Sequence, residues 1–365
     1  MGALTMSCGS AGSGPGATGA TGGKTADTGT GGRASTGSGG ADSMGSGGAD
    51  TRGTGGAGTM ETGGRASTGS GGAGPTGTGG SMGGGGTGEN SGDIWGGLKN
   101  PPRKSAGCGK PAAIMNGTQN IMSGGVARSY IIDIPGSYDP TKPYRLFYVS
   151  HGLNGRAQDT AGIFKYFGLL PQATAANDPA VFIAGQGLKG TWGEVDHVYF
   201  DDVTNFAKTS LCIDETRIFV TGMSMGGMYS YSLSTDRQKS IRAGVGLAPT
   251  NFNIWLPNPK LKDPVAWMQT TGNVDTYCPW VSDAAMMKGS KFIALEKATN
   301  NGCTIPTEIP FWQSGAHLCY DFAGCKSDYP VKACSFMGPH TDSARDPGSN
   351  VNWIAVESWK FFTQF

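Results

Sequence analysis

The chain has 365 residues, a formal net charge of +1 and 64 glycines, of which 36 lie in residues 1–92. The glycines do not recur at every third position, which excludes collagen, and no stretch approaches about 18 consecutive apolar residues, which excludes a membrane-spanning helix. The balanced charge gives no electrostatic basis for binding nucleic acid or for association with an anionic membrane.

Residues 1–92 form a low-complexity segment of mainly Gly, Ser, Thr and Ala, and no aromatic residue precedes Trp95. A segment with so little apolar surface cannot offset the entropy lost on ordering, so we expect a disordered linker. It contains a duplication, since Thr30–Ala41 and Thr62–Ala73 have the same sequence. The repeated unit has no apolar face on which neighbouring units could stack, which argues against a solenoid. We therefore predict one globular domain, residues 93–365.

The N-terminal residues bear on localisation. Met1–Ser7 is too short for a signal peptide. It also lacks the charged region and the apolar run of about 7–15 residues that a signal peptide contains. Cys8, however, is followed by a polar run and resembles the mature start of a bacterial lipoprotein. We expect the true start to lie upstream, or its signal to have been removed, with Cys8 as a candidate lipid anchor. The expected location is secreted or on the cell surface.

Seven of the eight cysteines lie in the globular part. No C-x-x-C pair occurs and only four histidines are present, so we expect no metal site and predict the disulfides of an exported protein. Apolar runs at Ala316–Phe322 and Val331–Phe336 predict a hairpin in which Cys319 faces Cys334 across the ladder. The next candidate pair is Cys303 with Cys325.

Apolar runs of strand length alternate with helix-like stretches along the domain. The predicted strands, rich in Val, Ile, Tyr and Phe, are Ser129–Ile134, Arg145–Ser150, Val181–Gly185, Arg217–Thr221, Gly244–Leu247, Val265–Thr270 and the late hairpin. The predicted helices are Val195–Thr209, Met225–Ser234, Ser282–Thr299 and Val351–Phe362. Several strands are apolar on both faces, as expected for a sheet covered on both sides. The alternation predicts a doubly wound α/β domain with a mostly parallel sheet, in which ligands bind beyond the carboxyl ends of the strands.

The strand Arg217–Thr221 runs into Gly222-Met223-Ser224-Met225-Gly226, and an apolar helix follows. This is a G-x-S-x-G motif in the strand–turn–helix context of the nucleophile elbow of an α/β-hydrolase. The turn is tight, so the residues around the serine must be small, and Gly222 and Gly226 meet that need. The helix beginning behind Ser224 directs its positive end at a developing oxyanion. We predict that Ser224 is a catalytic nucleophile.

A serine nucleophile needs a base, and in this fold the acid and then the histidine follow the serine in sequence. Only His317 and His340 follow Ser224. His317 lies in a predicted hairpin strand, whereas His340 lies in a loop between the last strand and the final helix, so His340 is preferred. The loop after Val265–Thr270 presents Asp275, which would hold the neutral tautomer of the imidazole and stabilise the imidazolium.

Stabilising an oxyanion requires two backbone donors. One is the amide of Met225, directly after the nucleophile. The second should come from the loop that follows an early strand, and Ser150–Gly155 fits this position. We predict the amide of Leu153, with Gly152 as the alternative. His151 precedes the nucleophile and is expected to shape this loop rather than to act as the base.

Further motifs extend the pattern beyond the elbow. They are Gly107–Lys110, Tyr130–Pro135, Pro143–Arg145, His151-Gly152, Gln186–Leu188 with Trp192, Leu211–Asp214, Gly222–Gly227, Asn300–Cys303, Gly324-Cys325, Tyr329–Val331 and Trp359–Phe362. With these motifs, residues 105–365 resemble the secreted esterases of carbohydrate esterase family 1, in the feruloyl esterase branch that is also grouped with polyhydroxybutyrate depolymerases. The resemblance implies the same triad, Ser224, Asp275 and His340.

The resemblance implies hydrolysis of hydroxycinnamoyl (feruloyl) esters of plant cell-wall arabinoxylan through an acyl-enzyme, without a cofactor. Trp192, Tyr277 and Trp280 are candidate walls of an apolar slot for the aromatic acyl group. Two alternatives use the same serine esterase mechanism on a different ester, namely an acetylxylan esterase or a depolymerase of polyhydroxybutyrate. A third is a carbohydrate-binding surface protein that has lost activity, which the intact triad disfavours. We expect a monomer.

Overall fold

A computed structural model describes residues 101–365 of the chain. The predicted linker of residues 1–92, its duplication and the candidate anchor at Cys8 lie outside the described residues. The globular domain predicted from residue 93 onward is described from Pro101 onward.

The described part of the chain contains one nine-stranded sheet. Its strands are β1 (Gly117–Ser123), β2 (Val126–Asp133), β3 (Tyr144–Ser150), β4 (Val181–Gly185), β5 (Ile213–Met223), β6 (Ala243–Leu247), β7 (Ala266–Gly272), β8 (Leu318–Asp321) and β9 (Val331–Phe336). They lie in the order β1-β2-β4-β3-β5-β6-β7-β9-β8. Neighbours from β4 to β9 are parallel, and the antiparallel pairs lie at the two ends of the sheet. The parallel strands therefore share one carboxyl edge.

Six α-helices pack around this sheet within residues 101–365. They are α1 (Ala157–Gly162), α2 (Leu169–Ala175), α3 (Val195–Ser210), α4 (Met225–Leu233), α5 (Ser290–Asn300) and α6 (Trp353–Thr363). Residues of α1, α2 and α6 belong to one buried cluster, and residues of α3 and α4 belong to another. None of the helices in the described part has the length and apolar character needed to cross a membrane.

Strand β3 explains why both faces of the sheet are covered. Side chains alternate between the two sides of a strand. Phe147 and Val149 pack in the cluster with α1, α2 and α6, whereas Leu146 and Tyr148 pack in the cluster with α3 and α4. The near-continuous apolar sequence of this strand is thus explained by burial on both faces, which is typical of parallel sheets.

The structure confirms the predicted α/β-hydrolase fold, with its mostly parallel sheet and helices on both faces. Every predicted strand is present, and β1 is an additional edge strand. The predicted helix Ser282–Thr299 is wrong in its first part, since α5 begins only at Ser290. Asp283 and Lys288 pair in a short bridge, and Gly289 takes a φ of 134°, which a helix does not allow.

Three disulfides lie in the described residues, namely Cys108–Cys212, Cys303–Cys325 and Cys319–Cys334. The two predicted pairs are therefore confirmed. Cys319 and Cys334 are directly opposite each other in the β8–β9 register. The third bridge joins residues 104 apart in sequence and ties the segment before β1 to the start of β5. Disulfides in this number are typical of proteins that fold in an oxidising compartment.

Candidate active site

Loops that carry chemically active side chains meet at the carboxyl edge of the parallel strands. The loop after β3 carries His151, the turn after β5 carries Ser224, and the loops after β7 and β9 carry Asp275 and His340. Strand β5 lies between β3 on one side and β6, β7 and β9 on the other. The serine is therefore flanked by the candidate oxyanion loop on one side and by the candidate acid and base on the other.

Ser224 occupies a strained turn between β5 and α4. Its φ of 56° and ψ of −121° lie outside the regions that non-glycine residues normally adopt. Its amide donates to Leu247 O at 2.8 Å, which ties the turn to the end of β6. A Cβ atom added to Gly222 would lie 2.5 Å from the carbonyl carbon of Gly226, and one added to Gly226 would lie 2.1 Å from Ser150 O. Both glycines are needed because backbone packs against backbone here.

Asp275 and His340 form a buried pair. The Asp275 Oδ2 to His340 Nδ1 distance is 2.7 Å, and the side chains are 0% and 7% exposed. The other oxygen, Asp275 Oδ1, accepts hydrogen bonds from the amides of Tyr277 at 2.9 Å and Cys278 at 2.8 Å. These donors fix the carboxylate, and the carboxylate in turn fixes the imidazole with Nδ1 toward it. His340 Nε2 is thereby the nitrogen available for proton transfer.

Two further reactive atoms lie in the site without a hydrogen-bond partner in the described part of the chain. Ser224 Oγ and His340 Nε2 are both buried, and neither has a hydrogen-bond partner among residues 101–365. Native proteins keep few such atoms, because leaving a buried polar group unpaired is costly. In serine hydrolases these two atoms are the nucleophile and the base. The atoms left unpaired are therefore the ones that the chemistry would use.

The candidate oxyanion loop lies directly against the serine. A Cβ added to Gly152 would lie 3.8 Å from the Cβ of Ser224. The next amides in the loop are engaged, because Asn154 N donates to Gly190 O at 2.7 Å and Gly155 N donates to Gly152 O at 3.0 Å. The amide of Leu153 lies within this turn, and its role as the second oxyanion donor stays a prediction. The other predicted donor, Met225 N, begins α4 immediately after Ser224.

His151 is buried beneath the same loop and holds it in place. Its Nε2 accepts from Gly187 N at 3.0 Å and lies 3.2 Å from Gln186 Nε2, while its Nδ1 lies 2.7 Å from Gly152 O. Nε2 therefore acts as the acceptor and Nδ1 as the donor, which makes the imidazole neutral. Trp192 Nε1 donates to His151 O at 2.8 Å. The position agrees with the predicted shaping role rather than with that of a base.

Burial lowers the pKa of His151 below its ordinary value of 6.5. The unfolded chain therefore takes up a proton at a higher pH than the folded chain, so stability should fall as the pH drops below about 6.5 toward the folded pKa. We expect the melting temperature of His151→Gln to fall less steeply over this range than that of the wild type. Burial also lowers the pKa of His197, to about 4. The resulting pH dependence of stability is the same in the wild type and in His151→Gln. Thermal unfolding between pH 7.5 and 5 measures the difference, and identical slopes would contradict it.

The three predicted substrate-contacting aromatics lie in different surroundings. Tyr277 is 46% exposed, and its ring centroid lies 5.4 Å from that of His340. Trp280 is half-buried and stacks on Phe311 at 4.9 Å. Trp192 is only 3% exposed and stacks on the buried Tyr229 at 4.5 Å. The structure therefore places Trp192 in the core behind the His151 loop and not on the wall of an open slot, because its indole completes that loop's packing and hydrogen bonding.

Two further residues near the site lacked a local sequence signal for their role. Gln186 Oε1 accepts from Ala157 N at 2.9 Å, so this side chain joins α1 to the His151 network. Asp342 follows His340 by two residues. Burial raises the pKa of Asp342, and the charge of His340 acts in the opposite direction. The Gln186 contact joins residues 29 apart in sequence, which no spacing pattern encodes.

Comparison with known proteins identifies relatives that match about seven-tenths of this chain. The chain is 30% identical over 277 residues to feruloyl esterase D of Neurospora crassa, which covers 72% of this chain and 90% of that protein. It is 31% identical over 267 residues to probable feruloyl esterase C of Aspergillus terreus, and this match covers 71% of this chain and 91% of that protein. No protein-family model matches the chain. Among solved structures, a ferulic acid esterase superposes with a TM-score of 0.45 at 11% identity, over 68% of this chain and 98% of that one.

The sequence relatives alone carry the assignment, since they match over nine-tenths of their own length. The resemblance predicted from the motifs is therefore confirmed. The strand order and the strained serine turn agree with it. The chain belongs to the feruloyl esterase family of serine esterases.

Proposed function

We propose that this esterase releases ferulate from hydroxycinnamoyl esters of plant cell-wall arabinoxylan, with Ser224, Asp275 and His340 as its catalytic triad. The observation that carries the proposal is the strained, buried Ser224 at the same sheet edge as the 2.7 Å pair of Asp275 and His340. Two of the relatives are named feruloyl esterases. We further propose that the protein is secreted or held at the cell surface, in keeping with its three disulfides.

In the proposed mechanism Ser224 Oγ attacks the ester carbonyl while His340 Nε2 takes its proton. The amides of Met225 and Leu153 stabilise the oxyanion of the tetrahedral intermediate. His340 then gives the proton to the departing sugar oxygen, and a feruloyl–serine ester remains. Water attacks this ester with His340 again as the base, which frees ferulate and the serine. Asp275 stabilises the imidazolium that forms in each half of the cycle.

Apolar surface beside His340 supports an aromatic acyl group. The exposed ring of Tyr277 contacts the imidazole, and Val274 and Val281 on the same segment are 56% and 41% exposed. Exposed apolar side chains next to reactive atoms favour a bulky apolar ligand. We therefore assign Tyr277 to the acyl slot, with Trp280 as its neighbour along the chain, and give Trp192 a positioning role through His151.

Hydrolysis assays on three substrates test the proposal. Purified protein is offered methyl ferulate, p-nitrophenyl acetate and a polyhydroxybutyrate film, with Ser224→Ala as the baseline. Release of ferulate is the expected result. Clearing of the film without ferulate release would instead indicate a depolymerase, and hydrolysis of acetate alone would indicate an acetylxylan esterase. Absence of hydrolysis above the baseline on all three would contradict the enzyme assignment and favour a binding protein.

A further inference from the structure

A cleft opens at the carboxyl end of β9, beside the start of β8 and at the same edge of the sheet as the catalytic loops. Its volume is about 460 Å³, and its lining includes Trp312, His317, Met337, Arg345 and Asp346. Ligands of open α/β sheets bind outside the carboxyl ends of the strands. The cleft therefore lies where a part of the substrate could be held.

The cleft contains a rigidly held imidazole that catalysis does not use. His317 Nδ1 lies 2.8 Å from Asp346 Oδ2, and its backbone amide donates to Asp346 Oδ1 at 2.7 Å. Its ring stacks on Trp353 at 4.0 Å with an interplanar angle of 4°. The side chain is 20% exposed, and its hydrogen bonds within the described residues are made by Nδ1 and not by Nε2. One polar atom of a fixed ring is thus available to a ligand in the cleft.

An aromatic side chain and a charged side chain complete the lining. Trp312 is half-buried, its amide donates to Ser335 Oγ at 2.7 Å, and its indole Nε1 donates to Gly315 O at 3.2 Å. The first bond fixes the backbone at this position, and the second restrains the orientation of the indole. Arg345 is exposed, and its Nε donates to Asn350 O at 3.1 Å. The charge of Asp346 offsets that of Arg345, so the lining as a whole favours a neutral ligand over an anion.

The position relative to His340 indicates which part of the substrate the cleft would hold. Met337 lies three residues before His340 and Arg345 lies five residues after it, so the loop bearing the base borders the cleft. In ester hydrolysis the imidazole gives its proton to the departing alcohol oxygen. The alcohol part of the ester therefore leaves from the side of the imidazole.

We propose that this cleft binds a neutral sugar ring of the polysaccharide that carries the ester. A sugar presents one apolar C–H face and several hydroxyl groups. The Trp312 indole would pack on the C–H face, and His317 Nε2 and the Arg345 guanidinium would bond the hydroxyls. The cleft is a subsite for the alcohol part of the substrate, and this inference rests on the proposed feruloyl esterase function.

A comparison of two esters with the same acyl group tests the subsite. The kcat/KM values are measured on a feruloylated arabinoxylo-oligosaccharide and on methyl ferulate, for the wild type, Trp312→Ala and Arg345→Ala. The ratio of the first value to the second should fall about tenfold in Trp312→Ala, as expected for one lost aromatic contact, through a higher KM for the oligosaccharide. An unchanged ratio in both variants, or equal losses on both esters, would overturn the proposal. The matched control is Phe206→Ala, an exposed aromatic of α3 near the opposite end of the sheet, which should leave the ratio as it is.

A binding measurement separates failure of the subsite from failure of the proposed function. Unesterified arabinoxylo-oligosaccharide is titrated into Ser224→Ala and into the double variant with Trp312→Ala, and the Kd is measured by calorimetry. Weaker binding by the double variant supports the subsite even if the wild type releases no ferulate, in which case only the proposed function fails. Equal Kd values combined with ferulate release by the wild type would overturn the subsite and leave the proposed function intact.

Discussion

Replacing Ser224 by alanine should lower kcat on methyl ferulate by about 10⁴-fold or more, because removal of a serine nucleophile abolishes the acyl-enzyme route. Alanine keeps the Cβ that already occupies the strained turn, and the removed Oγ makes no hydrogen bond to the described residues. The fold should therefore be unaffected, and any residual rate should reflect oxyanion stabilisation and binding alone. Stopped and continuous assays of ferulate release measure the loss.

Ser137→Ala is the matched control for this substitution. Ser137 is exposed and lies outside the site, and only its backbone carbonyl accepts a hydrogen bond, from Tyr144 Oη at 3.2 Å. Its kcat should equal that of the wild type, and the melting temperatures of both variants should agree with the wild type to within about 2 °C. A Ser224→Ala enzyme that keeps more than about a hundredth of the wild-type kcat would contradict the role of Ser224.

Gly226→Ala should destabilise the whole domain. The added Cβ would lie 2.1 Å from Ser150 O and 2.7 Å from His151 O. Both atoms belong to the backbone, so no side chain can move aside, and either the elbow or the oxyanion loop must shift. Overpacking that side chains can absorb costs about 1–3 kcal/mol, and we expect at least about 3 kcal/mol here. In a domain of this size, that corresponds to a fall in melting temperature of about 10 °C.

Gly162→Ala distinguishes a local steric effect from a general intolerance of alanine. Gly162 is the last residue of α1, and a Cβ added there would meet no atom within 4 Å. Alanine favours a helix over glycine by up to about 1 kcal/mol, so this variant should be as stable as the wild type or slightly more stable. If Gly226→Ala unfolds at the same temperature as Gly162→Ala, the close packing of the elbow is not required for stability.

Local sequence patterns predicted the parts of this molecule whose geometry is local. The β8–β9 hairpin has a fixed register, so the two apolar runs that predict it were enough to place Cys319 opposite Cys334. In the structure Phe322 N donates to Val331 O, which holds this register. The elbow likewise depends on adjacent residues. Its context gave the order in which the acid and the base must follow, and that order selected Asp275 and His340.

Features that depend on contacts between residues distant in sequence could not be predicted from local patterns. The bridge between Cys108 and Cys212 spans 104 residues and has no local pattern. Trp192 was expected at the surface of the site, but its role depends on Tyr229 and on the carbonyl of His151, both far away in sequence. The run before α5 is apolar enough to suggest a helix, yet the positive φ of Gly289 and the short bridge before it determine the start of that helix.

Covalent labelling tests the central claim most directly. The wild type and His340→Ala are treated with a fluorophosphonate, which reacts with activated serines, and the modified peptides are identified by mass spectrometry. We predict a single adduct on Ser224 in the wild type and a rate of modification lower by at least about 10³-fold in His340→Ala, because the base that activates the serine is gone. An adduct on another serine, or equal labelling rates in the two proteins, would contradict the assignment of Ser224 and His340 as nucleophile and base.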